Sequence, residues 1–288
     1  MTPTKQLPRS FTTGGYNLPE QVRLVQGRKN KKRIMIGTDG PANSGKTEFA
    51  CSAPGPGQVI CLDRGFDGMF DNPNPPVTRR SDFGFKVVLL PKAGQARQSD
   101  FLDYWREFYK EYLDALANPD SLTVVIDGDS DSWELQRLAE FGKLTQIPSI
   151  MYTNVNAARR AMYNRAFDSG KIVIATNKIS KDYRPLLNPD GTPQLKDGKE
   201  VREWDGKSYS RQGFADQDYL WHLQIRHLYE PAYVNDKRKE VPQQWGIKIM
   251  ACKANRALVG TELWGDECNF QSLVSVVYPH IPLEDWGY

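Results

Sequence analysis

Gly40-Pro-Ala-Asn-Ser-Gly-Lys-Thr47 is the most informative stretch of this sequence, and it begins four residues after the short apolar run Arg33-Ile-Met-Ile36. This spacing of glycine, lysine and threonine is that of a phosphate-binding loop, in which backbone N–H groups point inward around phosphate oxygens. Side chains at the two glycines would obstruct the phosphates. The lysine would reach the β and γ phosphates, and the threonine hydroxyl would ligate Mg²⁺. The sequence therefore predicts a nucleotide site formed by Gly40, Pro41, Ala42, Asn43, Ser44, Gly45, Lys46 and Thr47, with a helix that begins at Lys46 and adds the positive end of its dipole.

The composition of the 288 residues is that of an ordinary globular protein. No apolar run is long enough to cross a bilayer, and the first residues lack the apolar stretch of a secretory signal. We therefore expect a protein without a membrane partner that stays in the cytoplasm, or in the host cytoplasm if it is viral. The cysteines show no C-x-x-C spacing, so we expect reduced core thiols at Cys51, Cys61, Cys252 and Cys268.

The positive charge is concentrated at the start of the chain. Residues 1–33 carry eight lysines and arginines against one glutamate, whereas the whole chain has a net charge of +3. A basic arm over residues 1–32 is typical of proteins that hold nucleic acid through phosphate contacts. A solvated tail, or a basic segment packed beside the nucleotide, would have the same composition.

Strands and helices alternate after the phosphate loop. Aromatic residues recur at three- and four-residue steps over 100–116, which indicates a helix with its aromatic face in the core. Alternation at this spacing predicts an α/β fold with a mostly parallel central sheet and helices on both faces, and ligands of such sheets bind at the carboxyl ends of the strands. The expected strands are 58–63, 85–90, 122–127 and 171–177, and the expected helices are 100–116, 131–145 and 152–168.

The pattern changes after residue 180. Turn signals and polar residues over 180–214 predict a protruding β-hairpin or a mobile loop. Two further strands, 219–229 and 245–252, should form an antiparallel hairpin at one edge of the sheet. We expect a nucleotide-binding domain over 33–265 and a C-terminal tail over 266–288.

Acidic residues at strand ends are candidates for metal binding and catalysis. Asp127 ends a β-branched strand, as the Mg²⁺-binding acid of phosphate-loop enzymes does, and Asp129 could share that role or cap a helix. Asp63 and Asp67 flank the end of the second strand, where a carboxylate would orient the attacking water, although strand-end aspartates also cap turns. Asn177 and Lys178 end the strand that follows, where either could contact the γ-phosphate.

This order of motifs resembles the RecA-like ATPase core, and more narrowly the short phage-encoded Sak-type single-strand annealing recombinases. The resemblance covers about residues 30–265 and rests on the phosphate loop, Val124-Val-Ile-Asp127 and Ala175-Thr-Asn-Lys178. It implies a RecA-like fold, ATP and Mg²⁺ as cofactors, ATP hydrolysis, and action on single-stranded DNA in recombination, annealing or replication. It also implies a homo-oligomeric ring or filament, with a single-strand-binding protein as a further partner.

The same resemblance assigns roles to individual residues. Lys178 would sense the γ-phosphate as a catalytic residue, beside Asn177. Lys253 and Arg256 would reach the nucleotide of a neighbouring subunit, Lys253 to bind it and Arg256 to act in catalysis. The 180–214 segment would contact DNA, and its aromatic residues could stack on unpaired bases or anchor the segment on the protein; they are Tyr183, Trp204, Tyr209 and Phe214. The chain departs from the family at Gly65, where the family commonly has a catalytic glutamate, so hydrolysis is expected to be slow or to use Asp67.

Other classes remain open on the residues alone. Asn177-Lys-Ile-Ser180 nearly reproduces the guanine-reading motif N-K-x-D of GTPases, without its carboxylate. A small-molecule kinase would need an arginine-rich lid, which the sequence does not show. A nucleotide-dependent switch or assembly protein without DNA binding is the remaining alternative.

Overall fold

A computed structural model of the chain describes residues 32–62, 83–88, 90, 96–144, 146–234 and 240–288. The basic arm apart from Lys32 lies outside the described residues. The same holds for Asp63, Gly65 and Asp67, so the assignments of these residues stay predictions.

The centre of the fold is an eight-stranded sheet in the order β14-β13-β10-β1-β5-β4-β2-β3. Strands β10, β1, β5, β4, β2 and β3 run parallel, and β13 and β14 add antiparallel strands beside β10. Both the mostly parallel sheet and the C-terminal antiparallel hairpin were predicted and are confirmed. The strands are β1 Met35–Asp39, β2 Gly57–Cys61, β3 Phe83–Val87, β4 Thr123–Asp127, β5 Ile172–Asn177, β6 Ile179–Pro185, β7 Leu195–Lys196, β8 Lys199–Glu200, β9 Arg202–Arg211, β10 Leu223–Glu230, β11 Tyr233–Val234, β12 Glu240–Val241, β13 Gln244–Cys252 and β14 Glu262–Trp264.

Helices cover both faces of the sheet, as the α/β prediction requires. One apolar layer contains residues of α1, α6 and α7, and the other contains residues of α2, α3 and α4. Side chains of β5 alternate between the layers, with Ile174 in the first and Val173 in the second. The helices are α1 Lys46–Cys51, α2 Gln98–Ala117, α3 Asp129–Phe141, α4 Tyr152–Asp168, α5 Gln217–Leu220, α6 Phe270–Val277 and α7 Leu283–Trp286.

The aromatic stripe of α2 is part of the core. Phe101, Phe108, Tyr112 and Leu116 are buried, and the Tyr112 hydroxyl donates to the Met162 carbonyl at 2.9 Å. Burial raises the pKa of the Tyr112 phenol, which keeps it neutral and able to donate this bond. The core assignment of this face is therefore confirmed.

Residues 266–288 differ from the predicted tail. Helix α6 buries four apolar side chains at helical spacing, and Trp286 of α7 joins the same layer. Two hydrogen bonds attach the segment to the end of α1: Phe270 N to Ser52 Oγ at 2.8 Å and Tyr288 Oη to Ser52 O at 2.8 Å. The segment is therefore part of the main core. The apolar side chains of α6 recur at helical spacing and form one face that packs into the core.

The segment after β5 forms a hairpin rather than a mobile loop. Strands β6 and β9 pair antiparallel as a two-stranded sheet separate from the central one, with Lys181 opposite Tyr209 and Tyr183 opposite Trp204. The short pair β7 and β8 lies between them in the chain.

The cysteines and the helices bear on two further expectations from the sequence. All four cysteines are buried thiols, as predicted. Among the described residues, no helix has both the length and the apolar character needed to cross a membrane.

Candidate nucleotide-binding site

The phosphate loop connects β1 to α1 in a conformation that needs its glycines. Gly45 has φ +83° at the start of α1, a left-handed conformation that glycine adopts without strain. A Cβ at Gly40 would lie 2.8 Å from His227 Cβ and 2.8 Å from Ser44 Oγ. Gly45 is thus required by its backbone conformation, and Gly40 by close packing beneath the loop. The sequence had predicted only that side chains at these positions would obstruct the phosphates.

Lys46 lies over the loop that precedes it. Its ammonium donates to the carbonyl oxygens of Gly40 at 3.1 Å and Pro41 at 2.5 Å. The positive charge is therefore held at the rim of the loop, beside the first peptide groups of α1. This is the position from which a lysine can approach phosphate oxygens.

Thr47 and Asp127 meet across the site. The Thr47 hydroxyl donates to Asp127, with Oδ1 at 3.1 Å and Oδ2 at 3.0 Å. Asp127 is 5 % exposed, and Thr176 Oγ1 donates to its Oδ1 at 2.7 Å while accepting from Gly128 N at 2.9 Å. One hydroxyl and one fixed carboxylate are oxygen donors of the kind that hold Mg²⁺ together with substrate phosphates. The donor set therefore fits the expected metal.

A cavity of about 450 Å³ joins these groups. The order of the strands explains which residues line this cavity. Strand β5 lies between β1 and β4 and therefore places Asn177 between the phosphate loop and Asp127. The lining comprises residues 40–48, Asp127, Gly128, Thr176, Asn177, Lys178, Ile179 and Gln212.

Asn177 and Lys178 sit on this wall in different environments. Asn177 is buried, and its Nδ2 lies 3.5 Å from the Thr38 carbonyl oxygen. Lys178 is half exposed, and its Nζ forms an ion pair with Asp131 Oδ1 at 2.6 Å. The structure therefore brings both residues to the cavity.

Asp129 is not part of the cavity lining, contrary to the sequence expectation. It is fully buried, with Oδ1 2.6 Å from Arg159 Nη2 and Oδ2 accepting from Tyr163 Oη at 2.6 Å. Burial, with a further contribution from the Asp129 charge, raises the pKa of Tyr163 well above its usual value, so the phenol stays a donor. Gly128 has φ +92°, which ends the strand and turns the next residue into α3, away from Asp127. Asp129 holds α3 to α4 and is removed from the metal ligands.

Lys253 and Arg256 lie away from the cavity of their own chain. Lys253 N donates to His222 O at 2.9 Å, which places it at the amino ends of the parallel strands, opposite the phosphate loop. Its Nζ donates to Tyr219 O at 2.6 Å, and Arg256 is exposed in the short 3-10 helix Arg256–Leu258. Only another copy of the chain could receive these side chains at its nucleotide, and that role stays a prediction.

Three residues of the site were missed by the sequence reading. Thr176 orients Asp127, and its position directly before Asn177 at a strand end could have indicated it. Ser130 Oγ donates to Gln212 O at 2.9 Å and accepts from Lys178 N at 3.0 Å, which joins both ends of the β6–β9 hairpin to α3. His227 supports the phosphate loop from β10, and no local pattern marks it.

The similarity of this chain to known proteins is found among solved structures. No protein-family model matches the chain, and the search of curated proteins found no match. Among solved structures, the chain is similar to a KaiC-like protein from the hyperthermophilic archaeon Pyrococcus horikoshii OT3. The two sequences are 13 % identical, the alignment covers 80 % of this chain and 83 % of that chain, and the TM-score is 0.38.

Proposed function

We propose that this chain is a RecA-like ATPase that binds Mg-ATP and couples it to binding of single-stranded DNA, in phage-type recombination, annealing or replication. The observation that carries the nucleotide part is the convergence of Lys46, Thr47 and Asp127 on one cavity, with the Thr47 hydroxyl about 3 Å from the Asp127 carboxylate. The loop N–H groups and Lys46 would bind the phosphates. Thr47 and Asp127 would hold Mg²⁺, which neutralises phosphate charge when bound.

Hydrolysis needs a group that orients water near the γ-phosphate. Asp63 and Asp67 follow β2, whose end Cys61 is paired with Asp127 in the sheet. Parallel neighbours end at the same edge, so β2 ends at the edge that holds Asp127, and Asp63 or Asp67 stays the predicted water-orienting group. Lys178, whose ammonium is paired with Asp131, lines the same cavity and would stabilise charge on the γ-phosphate. With glycine at position 65, we expect slow turnover.

The DNA part of the proposal is supported by one face of the β6–β9 hairpin. Lys181, Tyr183, Trp204 and Tyr209 share this face through cross-strand pairing, and the Lys181 ammonium lies 4.3 Å from the centroid of the Trp204 ring. Tyr183 is 49 % exposed. Aromatic rings next to basic groups stack on unpaired bases of any sequence. Phe214 is excluded from this set, because it is buried against Trp133 with a centroid separation of 5.2 Å.

The hairpin is attached directly to the nucleotide site. Ser130 lies three residues after Asp127 and bonds both Lys178, before β6, and Gln212, after β9. Lys178 and Gln212 also line the cavity. A nucleotide that displaces either residue would therefore move the root of the DNA-binding hairpin.

The geometry disfavours the GTPase alternative. In that reading Asn177 would contact guanine, but its side chain is buried beside β1 and the phosphate loop. Ser180 supplies no carboxylate, and its hydroxyl lies 3.2 Å from Ser210 Oγ within the hairpin. The amide of Asn177 is therefore not placed to read a guanine base, and position 180 lacks the carboxylate that would pair with it.

The proposal is tested by binding of fluorescent single- and double-stranded oligonucleotides with and without Mg-ATP, beside an ATPase assay. Wild-type protein should bind the single strand more tightly with Mg-ATP. Lys46→Ala should lose ATP binding and this nucleotide-dependent gain, while nucleotide-free DNA binding persists. Lys110→Ala, which removes an exposed lysine of α2 outside the hairpin, is the matched control and should keep both ATP binding and the nucleotide-dependent gain. DNA affinity that is the same with and without ATP in the wild type would refute the coupling.

A further inference from the structure

His227 of β10 lies directly beneath the phosphate loop. The side chain is 1 % exposed, and its ring packs edge-on to Phe49 of α1 at a centroid distance of 5.5 Å. Its Nδ1 is 3.0 Å from the Ser44 carbonyl oxygen, inside the loop. Gly40, at the other end of the loop, packs on the Cβ of the same residue. One side chain of the sheet thus contacts the loop at two points, Gly40 and Ser44.

The protonation state of His227 follows from its surroundings. Burial, followed by the nearby Lys46 charge, lowers the pKa of the imidazole to about 3, so it is neutral at physiological pH. The carbonyl of Ser44 can only accept a hydrogen bond, so the proton of the neutral ring is on Nδ1 and is donated to Ser44. The bond has a single direction, from the sheet to the loop.

This hydrogen bond fixes the orientation of the peptide between Ser44 and Gly45. In a trans peptide the C=O and N–H bonds point in opposite directions. Because the Ser44 carbonyl faces His227 beneath the loop, the Gly45 N–H faces the other way. Gly45 lines the cavity, and its own carbonyl accepts the first helical bond from Phe49 N at 2.9 Å. Both peptides that flank Gly45 are therefore held.

We propose that His227 is a positioning residue of the phosphate loop, which holds the Gly45 N–H toward the cavity for a phosphate anion. The proposal rests on the proposed function, since it assigns the anion to the nucleotide. Without a donor at position 227 the buried Ser44 carbonyl would lose its partner, and a flip of this peptide would become favourable. A flipped peptide presents a carbonyl oxygen to the phosphate instead of an N–H group.

The test compares His227→Leu with His227→Asn. Leucine fills part of the ring volume but has no donor. Asparagine removes more apolar volume, yet its amide nitrogen lies two bonds from Cβ, as Nδ1 does in histidine. We expect Leu to weaken the binding of ATP and of inorganic tripolyphosphate about tenfold, the effect of one lost hydrogen bond, and Asn to stay within about threefold of wild type. Leu273→Ala, which removes a buried side chain of α6 from the same apolar layer, should lower thermal stability and leave both affinities within about twofold.

A purely structural role gives a different result. In that case affinity follows stability, and Asn binds no better than Leu; this outcome, or wild-type affinity in Leu, overturns the proposal. Hydrogen–deuterium exchange of residues 40–47 in nucleotide-free protein provides a second measurement, in which Leu should exchange faster than Asn and wild type. If the wild type binds neither ATP nor tripolyphosphate, the proposed function is wrong. The exchange rates then decide the role of His227 by themselves, and equal rates in Leu and wild type overturn it.

Discussion

At the scale of single residues, Asp127 and Asp129 have different roles, although only Gly128 lies between them in the sequence. Asp127 faces the cavity and Thr47, whereas Asp129 faces Arg159 in the interior between α3 and α4. In a continuous strand, residues two apart share a face. The left-handed conformation of Gly128 ends the strand and separates the two carboxylates.

Neutral replacements of the two aspartates should therefore have opposite effects. Asp129→Asn weakens a buried ion pair and should lower the free energy of unfolding by about 3–5 kcal/mol, with Mg-dependent ATP binding kept while the protein is folded. Asp127→Asn keeps oxygen and amide groups for Thr47 and Thr176 and should preserve stability, but lose the gain in ATP affinity that Mg²⁺ provides. Urea unfolding and ATP titration with Mg²⁺ or with EDTA measure both. Loss of the Mg²⁺ effect in a stable Asp129→Asn protein would restore Asp129 as a ligand.

The sequence predicted the site residues that belong to local patterns. The loop 40–47 and Asp127 follow from spacing and from position at a strand end, because parallel strands deliver such residues to one edge. His227 contributes to the same site from a strand 183 residues after Ser44 in the chain, and only tertiary packing brings the two residues together. Asp129 was misassigned because a single glycine dihedral angle determines its direction.

At the scale of elements, the sequence predicted the β6–β9 hairpin only in outline. Turn residues predicted that the chain reverses, and pairing at six positions between β6 and β9 makes this segment a hairpin. Register could not be predicted, because an irregularity between Lys181 and Tyr183 shifts the pairing. That shift puts Tyr183 opposite Trp204 on the exposed face.

Removal of one exposed aromatic ring tests the hairpin as a stacking surface. Tyr183→Ala should weaken single-stranded DNA binding at least about fivefold, since stacking contributes about 1–3 kcal/mol per base, and ATP affinity should stay unchanged. Tyr219→Ala is the matched control, because Tyr219 is 80 % exposed on α5, outside the hairpin. Fluorescence anisotropy of a labelled oligonucleotide measures both variants. Equal losses in the two variants, or none in Tyr183→Ala, would contradict a role of this face in DNA binding.

At the scale of the whole molecule, the two ends of the parallel strands carry different functional groups. The carboxyl ends of the parallel strands hold the phosphate loop, and the amino ends carry Lys253 and Arg256. A head-to-tail arrangement of copies would bring the second set to the first, and such heterologous contacts generate rings or filaments. The oligomer proposed from the family resemblance is compatible with this polarity.

Mixing of two inactive variants tests this arrangement. Lys46→Ala and Arg256→Ala should each lose most ATPase activity when alone. An equimolar mixture should recover roughly a quarter of wild-type activity, because one site in four combines an intact loop with an intact arginine from its neighbour. Arg256→Ala with Lys253→Ala, both altered on the same edge, is the control mixture and should recover nothing. Full turnover by Arg256→Ala alone would remove it from the mechanism.

The attachment of the hairpin beside the cavity has a mechanical consequence. The seven residues of β6 span about 23 Å from the root at Lys178 toward the tip. If the hairpin turned as one body about this root, a rotation of about 10° would displace its far end by about 4 Å. That displacement exceeds the spacing of stacked bases, about 3.4 Å in a duplex strand. Under the DNA coupling proposed above, a rotation of this size at the nucleotide-binding wall would move the far end of the hairpin by about the spacing of one base.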